Sequence, residues 1–510
     1  MWKPSRAVAV LSVLAACSAA PGEPSSAPIA ETTNPTTTIP TTTTTSTAPA
    51  PIGAPGIGDR LYPALGNGGY DVLHYTIDLG VDPEAGSVDG ATTITAVALQ
   101  DLGGLHLDLA GLEVGSVALG TAGEDPVPAR HERRGRELVI VPGAPIVAGV
   151  EFQVVVEYAG VPEPVPAGAV PFAPGWRRAK DSFYVFSQPD GAQSWFPTND
   201  HPADKATVEL VVRLPEGWQA VSGGRADHPS PGVFRWRYEQ PVAPYLVGLA
   251  IGTFVERTEE VGGMTFTTWF DPAVEGGLLD AFGLQPEIIE FFEERFGPYP
   301  FDAVGAVVVN DDLAAALETQ MVPTYTVASM AWGDVVIAHE LAHQWFGNSV
   351  SVAQWDDIWL NEGLATFAHW LWIEHRHGTS VYDGQVEAAH RRFSGAELAD
   401  QGVPAAEARR RAAEAYPPPD FPRPDDLFTV SVYERGALAL VALRDLTGDE
   451  VTFQVLRTWT ARFAYGNATT EDFLGLVAEV AGPEVAAVVE AWIRDAEVPS
   501  MPGRNLEPPG

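Results

Sequence analysis

The chain has 510 residues, more than one hydrophobic core accommodates, so its length implies about two or three domains. Hydrophobic residues make up 45% and aromatic residues 10%, with 14 Trp, which excludes a wholly disordered chain. Thirty Lys and Arg against 67 Asp and Glu give a net charge of -37, a field that repels phosphate backbones and argues against nucleic acid as a partner. The single Cys excludes an intrachain disulfide.

At the amino terminus Lys3 and Arg6 precede the apolar run Ala7 to Ala16. That run is about half the roughly twenty residues of a membrane-spanning helix, so residues 1–17 are expected to be an export signal. Its end, Leu14-Ala15-Ala16-Cys17, resembles a bacterial lipoprotein box in which Cys17 carries the lipid anchor; the alternative is an ordinary signal peptide that contains a Cys. The two readings imply a cell-surface lipoprotein of a bacterium or a secreted protein. Residues 18–57 are dominated by Pro, Thr, Ser and Ala, including the run Thr41 to Thr45, and show no apolar periodicity. Such a composition buries too little apolar surface to offset ordering entropy, which predicts a disordered tether. Fully extended, it would reach roughly 120 Å.

From 58 to 257 apolar and polar residues alternate, as in Leu73, Tyr75, Ile77 and Leu79, in Phe152, Val154, Val156 and Tyr158, and in Val208, Leu210, Val212 and Leu214. This period of two predicts an amino-terminal, mostly antiparallel β domain. From 258 to 500 the period lengthens. Pro286 opens a predicted helix bearing Ile288, Phe292 and Phe296, which Gly297 ends, and Val485, Val488, Val489 and Trp492 form another helical stripe. Val304 to Val309 reads as a strand within this helix-rich region, and 501–510 as a tail. The fold class is therefore multidomain α+β.

The chemistry concentrates in Asp334-Val335-Val336-Ile337-Ala338-His339-Glu340-Leu341-Ala342-His343. Its apolar spacing is helical, with Asp334 as the expected cap, so His339 and His343 share one face. Two imidazoles one turn apart can bind one zinc ion at about 2.0 to 2.1 Å, with Glu340 beside them to hold a water. The bland alternative is a solvated helix face. A catalytic zinc takes a third protein ligand, and Glu362, on a second helical stretch with 18 residues intervening after His343, is the candidate.

This pattern resembles the signature of the M1 metallopeptidases, zinc aminopeptidases of the gluzincin type. Ala315-Ala316-Leu317-Glu318-Thr319 stands where that family has Gly-x-Met-Glu-Asn, which makes Glu318 the expected ligand of a substrate's free amino group. Tyr433-Glu434-Arg435-Gly436 resembles the family's Tyr-Glu-Lys-Gly, whose Tyr helps stabilise the tetrahedral intermediate. Ser187-Gln188-Pro189-Asp190-Gly191, with Trp195-Phe196-Pro197 and Asn199-Asp200-His201-Pro202, looks like the segment by which the first domain enters the site, with Gln188 and Asp190 as supporting substrate contacts. The resemblance implies a thermolysin-like catalytic domain, one zinc ion per chain on His339, His343 and Glu362, Glu340 as base, and peptides with a free amino terminus as substrates. It also implies a short form, without the large helical carboxy-terminal domain of many relatives. His369 stands where an acid commonly follows the third ligand by seven residues. The rival readings are a zinc endopeptidase, a hydrolase of another small substrate on the same fold, and a surface binding protein without turnover.

Overall fold

The computed structural model describes residues 50–510 apart from Ala122 and Ala167. The expected export signal over 1–17, with Cys17, and residues 18–49 of the expected tether lie outside the described residues. The last residues of the expected tether are already part of the first domain. Ile52 bridges in parallel to Gly104, Gly53 N donates to Gly104 O at 2.9 Å, and Gly103 N donates to Pro51 O at 2.7 Å. A pairing this short has no periodicity to reveal it.

The first domain is built on an eight-stranded sheet. Its centre is the strand Tyr70–Asp82, antiparallel to Ser87–Ala98 and parallel to Ala206–Arg213; Glu151–Gly160 extends the sheet beyond Ser87–Ala98. Tyr75, Ile77, Leu79, Phe152, Val154, Val156, Val208, Leu210 and Val212 are all buried on its inner face. Each fully buried side chain of this size contributes roughly 1.5–3 kcal/mol relative to exposure. Leu73, expected in the same row, is instead 41% exposed. The register slips by one residue between Val72 and His74, so Val72 takes the inward position and the bulged Leu73 turns out.

A second, four-stranded antiparallel sheet carries the buried strand Phe183–Phe186 between Ala250–Gly252 and Gly175–Arg178. This strand delivers Ser187 and Gln188 to the junction with the second domain.

The boundary expected at 257/258 falls inside a strand. Val255–Val261 forms a hairpin with Met264–Phe270, which pairs in parallel with Val304–Val309, so the hairpin belongs to the second domain's five-stranded sheet. Hairpin alternation looks the same on either side of a domain boundary, which is why the change of period comes late.

Helix α1 (Gln285–Phe296) ends at Gly297, whose φ of 94° is a conformation that favours glycine, and buries Ile288, Phe292 and Phe296. Helices α2 (Asp334–Ala342) and α3 (Trp359–His377) pack against each other. The remaining helices include the long Gly436–Arg462, broken at Gly448, and Pro483–Arg494. The expected tail is packed: Met501 is buried and bridges to Leu506, and Arg504 pairs with Asp383 and Asp445. Among the described residues no helix is long and apolar enough to cross a membrane.

The two domains are stitched by the segment just after the tether. The Asp59 carboxylate accepts from the backbone N of Leu61, Tyr62 and Trp355, and from His201 Nε2 at 3.0 Å. Arg60 forks onto Asp356 at 2.7 and 2.8 Å. Asp356 and Trp355 lead directly into α3.

Candidate active site

Helix α2 starts after Gly333, whose φ of 62° occupies the cap position expected for Asp334. Asp334 is the first helical residue, and its carboxylate accepts from Trp372 Nε1 at 2.9 Å, tying α2 to α3. The buried Ile337 and Leu341 hold the other side of the helix in the core, which turns His339 and His343 towards the first turn of α3, where Glu362 sits.

His339 Nε2 lies 3.1 Å from His343 Nε2, and each lies 3.4 Å from Glu362 Oε2. Three ligands at 2.0–2.1 Å around a tetrahedral centre would stand about 3.3 Å apart, so the spacing fits one zinc ion. The ring orientations fit as well. His343 Nδ1 donates to Phe346 O at 3.0 Å, leaving the Nε2 lone pair for a metal. His339 Nδ1 faces His369 Nδ1 at 3.1 Å. With its Nε2 committed to a metal, His339 is the donor of that bond. His369 then accepts at Nδ1 and carries its own proton on Nε2, which is buried and finds no partner among the described residues. Burial, then the neighbouring His339 and His343, hold His369 well below the usual histidine range. A neutral ring thus orients His339, adding no negative charge to the site. Burial raises the Glu362 carboxyl, but the neighbouring His343 and His339 outweigh it and hold its pKa down at about 2, so Glu362 is ionised.

Glu340 is buried, its Oε2 has no hydrogen-bond partner among the described residues, and burial pushes its pKa well above the usual range. Single carboxylate or imidazole atoms of Glu318, Glu340 and His343 all lie within 4.8 Å of one another. Glu318 follows the short edge strand Ala316–Leu317, and burial raises its pKa to about 7. Its Oε1 accepts from Gln188 Nε2 at 3.0 Å. Its backbone carbonyl accepts from Asn348 Nδ2 at 2.6 Å and Gln344 Nε2 at 3.3 Å.

Asp190 is not part of this cluster, contrary to expectation. It lies within the turn closed by the Gly191 N to Ser187 O bond, and its carboxylate is taken by Arg136 at 2.9 Å. Of the two supporting contacts read from the first domain, the structure therefore brings only Gln188 to Glu318.

Tyr433 sits in a π-helical turn, Ser431–Arg435, with its ring stacked on that of His339 at 6.1 Å and 27°. The turn is seated by two glycines. A Cβ on Gly363, the residue after Glu362, would lie 2.9 Å from the Gly436 Cα, so only a glycine there lets Tyr433 approach the ligands. Arg435 is buried and donates to the carbonyls of Trp492 at 2.7 Å, of Asp495, and of Ala496 at 3.5 Å, which end the helix Pro483–Arg494.

Sequence reasoning missed Tyr245, Gln344 and Asn348. Tyr245 stands beside Glu318 and Gln188, and its hydroxyl accepts from Asn361 Nδ2 at 3.4 Å. No local pattern marks it. For the other two a signal existed: buried amides in a stretch otherwise formed by Ala342, Trp345, Phe346 and Gly347 need partners.

Comparison with known proteins agrees with this geometry. The family model described as the peptidase M1 N-terminal domain matches residues 72–243, and that of the peptidase family M1 domain matches 281–492. The crystal structure of an M1 zinc metallopeptidase mutant from Deinococcus radiodurans, bound to a Tyr-Ser-Ala substrate, superposes with a TM-score of 0.76 at 29% identity, covering 88% of this chain and 99% of that one. Aminopeptidase B of Rattus norvegicus is 27% identical over 438 residues, 79% of this chain and 65% of its own length. Aminopeptidase N of Streptomyces lividans is 27% identical over 342 residues, 62% of this chain and 39% of its own length. The chain belongs to the M1 peptidase family. It spans less than two thirds of the length of these two aminopeptidases.

Proposed function

We propose that this chain is an exported zinc aminopeptidase that hydrolyses the first peptide bond of peptides with a free amino terminus. The observation that carries the reading is the buried carboxylate of Glu318, held by Gln188 within a few ångströms of both Glu340 and His343. Among the described residues this buried acid has no Lys or Arg partner, and with a second acid, Glu340, nearby it calls for a cation, which an α-ammonium supplies. An endopeptidase would use the same zinc ligands but has no use for that acid. Likewise, a binding protein needs neither Glu340 nor Tyr433.

His339, His343 and Glu362 would hold a zinc ion, and the chemistry it would supply there is polarisation of the scissile carbonyl and a lowered pKa for a water. Glu340 takes the water's proton and passes it to the leaving amine. The Tyr433 hydroxyl donates to the developing oxyanion, and burial, then Glu362, Glu318 and Glu340, keep that hydroxyl protonated. Glu318 and Gln188 bind the ammonium, so only the first peptide bond reaches the centre. Glu318→Ala is expected to weaken kcat/KM at least about tenfold more for free aminoacyl reporter amides than for their acetylated counterparts. An equal effect on both series would overturn the assignment.

Lys3, Arg6 and the following short apolar run support export, and the small residues before the single Cys support lipid attachment at Cys17, which would leave the enzyme at a bacterial cell surface. With Cys17→Ser the protein should move from the membrane fraction to the medium; unchanged fractionation would refute the anchor.

A further inference from the structure

Lys205 lies in the first domain, just before the strand Ala206–Arg213, yet its contacts are in the second. Its Nζ donates to Asn348 O at 2.8 Å, Ser349 O at 2.9 Å and Gly466 O at 3.5 Å. Among the described residues it has no carboxylate partner. The chain has only three lysines, Lys3, Lys180 and Lys205, among its 30 basic residues. At this position a compact ammonium with three donors meets three convergent carbonyls, an arrangement that the planar fork of Arg does not match.

Two of those carbonyls, of Asn348 and Ser349, belong to the turn that follows α2, and the third, of Gly466, also accepts from Ser351 N at 3.0 Å. In that turn Asn348 N donates to His343 O at 3.0 Å, Ser349 N to Gln344 O at 3.0 Å and Val350 N to Trp345 O at 3.2 Å. The widened turn leaves Phe346 O to accept from His343 Nδ1. It also aims the Asn348 amide at Glu318 O, at 2.6 Å. One turn thus orients a metal ligand and holds the amine anchor, and Lys205 is the cation at its carbonyl end. Beside Gly466, Asn467 Nδ2 donates to Pro202 O at 2.9 Å and to Val352 O at 2.9 Å, which ties the segment carrying Lys205 to the end of this turn.

We propose that Lys205 is a positioning residue of the active site, through which the first domain sets the placement of Glu318 relative to His343. The inference rests on the aminopeptidase reading for its substrate arm but not for its metal arm. Lys205→Met in the full holoenzyme should release zinc to a chromophoric chelator about tenfold faster. It should also raise KM for a free aminoacyl amide about tenfold, with a smaller fall in kcat. Asn348→Ala should raise KM similarly while leaving zinc release within about twofold. Because both act through one turn, the double variant should be no worse in KM than Lys205→Met alone.

A Lys205→Met enzyme that loses only thermal stability, with zinc release and KM as in the wild type, would overturn the proposal and leave Lys205 as domain glue. Additive KM effects would also overturn it. If Lys205→Met does not fold, Asn348→Ala decides, and an unchanged KM there breaks the link to Glu318. A wild type without turnover on free amines would overturn the function proposed above, and zinc release alone would then decide on Lys205.

Discussion

Glu340→Gln is expected to lower kcat at least about a hundredfold while the purified protein still holds one zinc per chain. The substitution keeps shape and volume. Among the described residues Glu340 Oε2 has no hydrogen-bond partner, so replacing it strands no buried group, and none of His339, His343 or Glu362 is touched. What disappears is the basicity of a carboxylate whose burial already pushes its pKa up. Loss of a positioned base typically costs 10² to 10⁴ in rate. Kinetics together with metal analysis checks this. A wild-type rate in the zinc-loaded variant would remove Glu340 from the reaction.

Tyr433→Phe should cost about 10² to 10³ in kcat, with KM changed no more than a few-fold, the size expected when one donor to an oxyanion is lost. The Phe ring can keep the stacking on His339, so the variant isolates the hydroxyl. If the hydroxyl acts on the developing oxyanion, affinity for a tetrahedral phosphinate analogue should fall by a similar factor. An unchanged kcat, or an effect confined to KM, would instead make Tyr433 a wall of the substrate cleft.

Features set by local periodicity or fixed spacing are legible in the sequence. His339, His343 and Glu362 follow from helical geometry and an interval, and the α+β class follows from a change of period. The rest depended on what a one-dimensional pattern does not carry. Gln188 and Asp190 are two residues apart, yet a tight turn sends one to Glu318 and the other to Arg136. Leu73 was misplaced because a bulge shifts phase without changing the alternation. Asp334 looked like a helix cap, but Gly333 supplies the cap and frees the carboxylate for Trp372. Tyr245 and Lys205 matter through contacts made across the domain junction, which sequence proximity does not reveal.

The buried Arg435 also has a bearing on timing. Among the described residues its guanidinium is satisfied only by carbonyls of residues 57 to 61 positions further along the chain. Until the helix Pro483–Arg494 has docked, the turn holding Tyr433 would bury an unpaired charge, so it has no reason to settle. A growing chain can therefore contain all three metal ligands, the base and the amine anchor, and still lack a seated hydroxyl donor. Under the proposed function, hydrolytic competence waits until residues 492–496 are made and packed, and a chain not yet extended that far is spared its own activity.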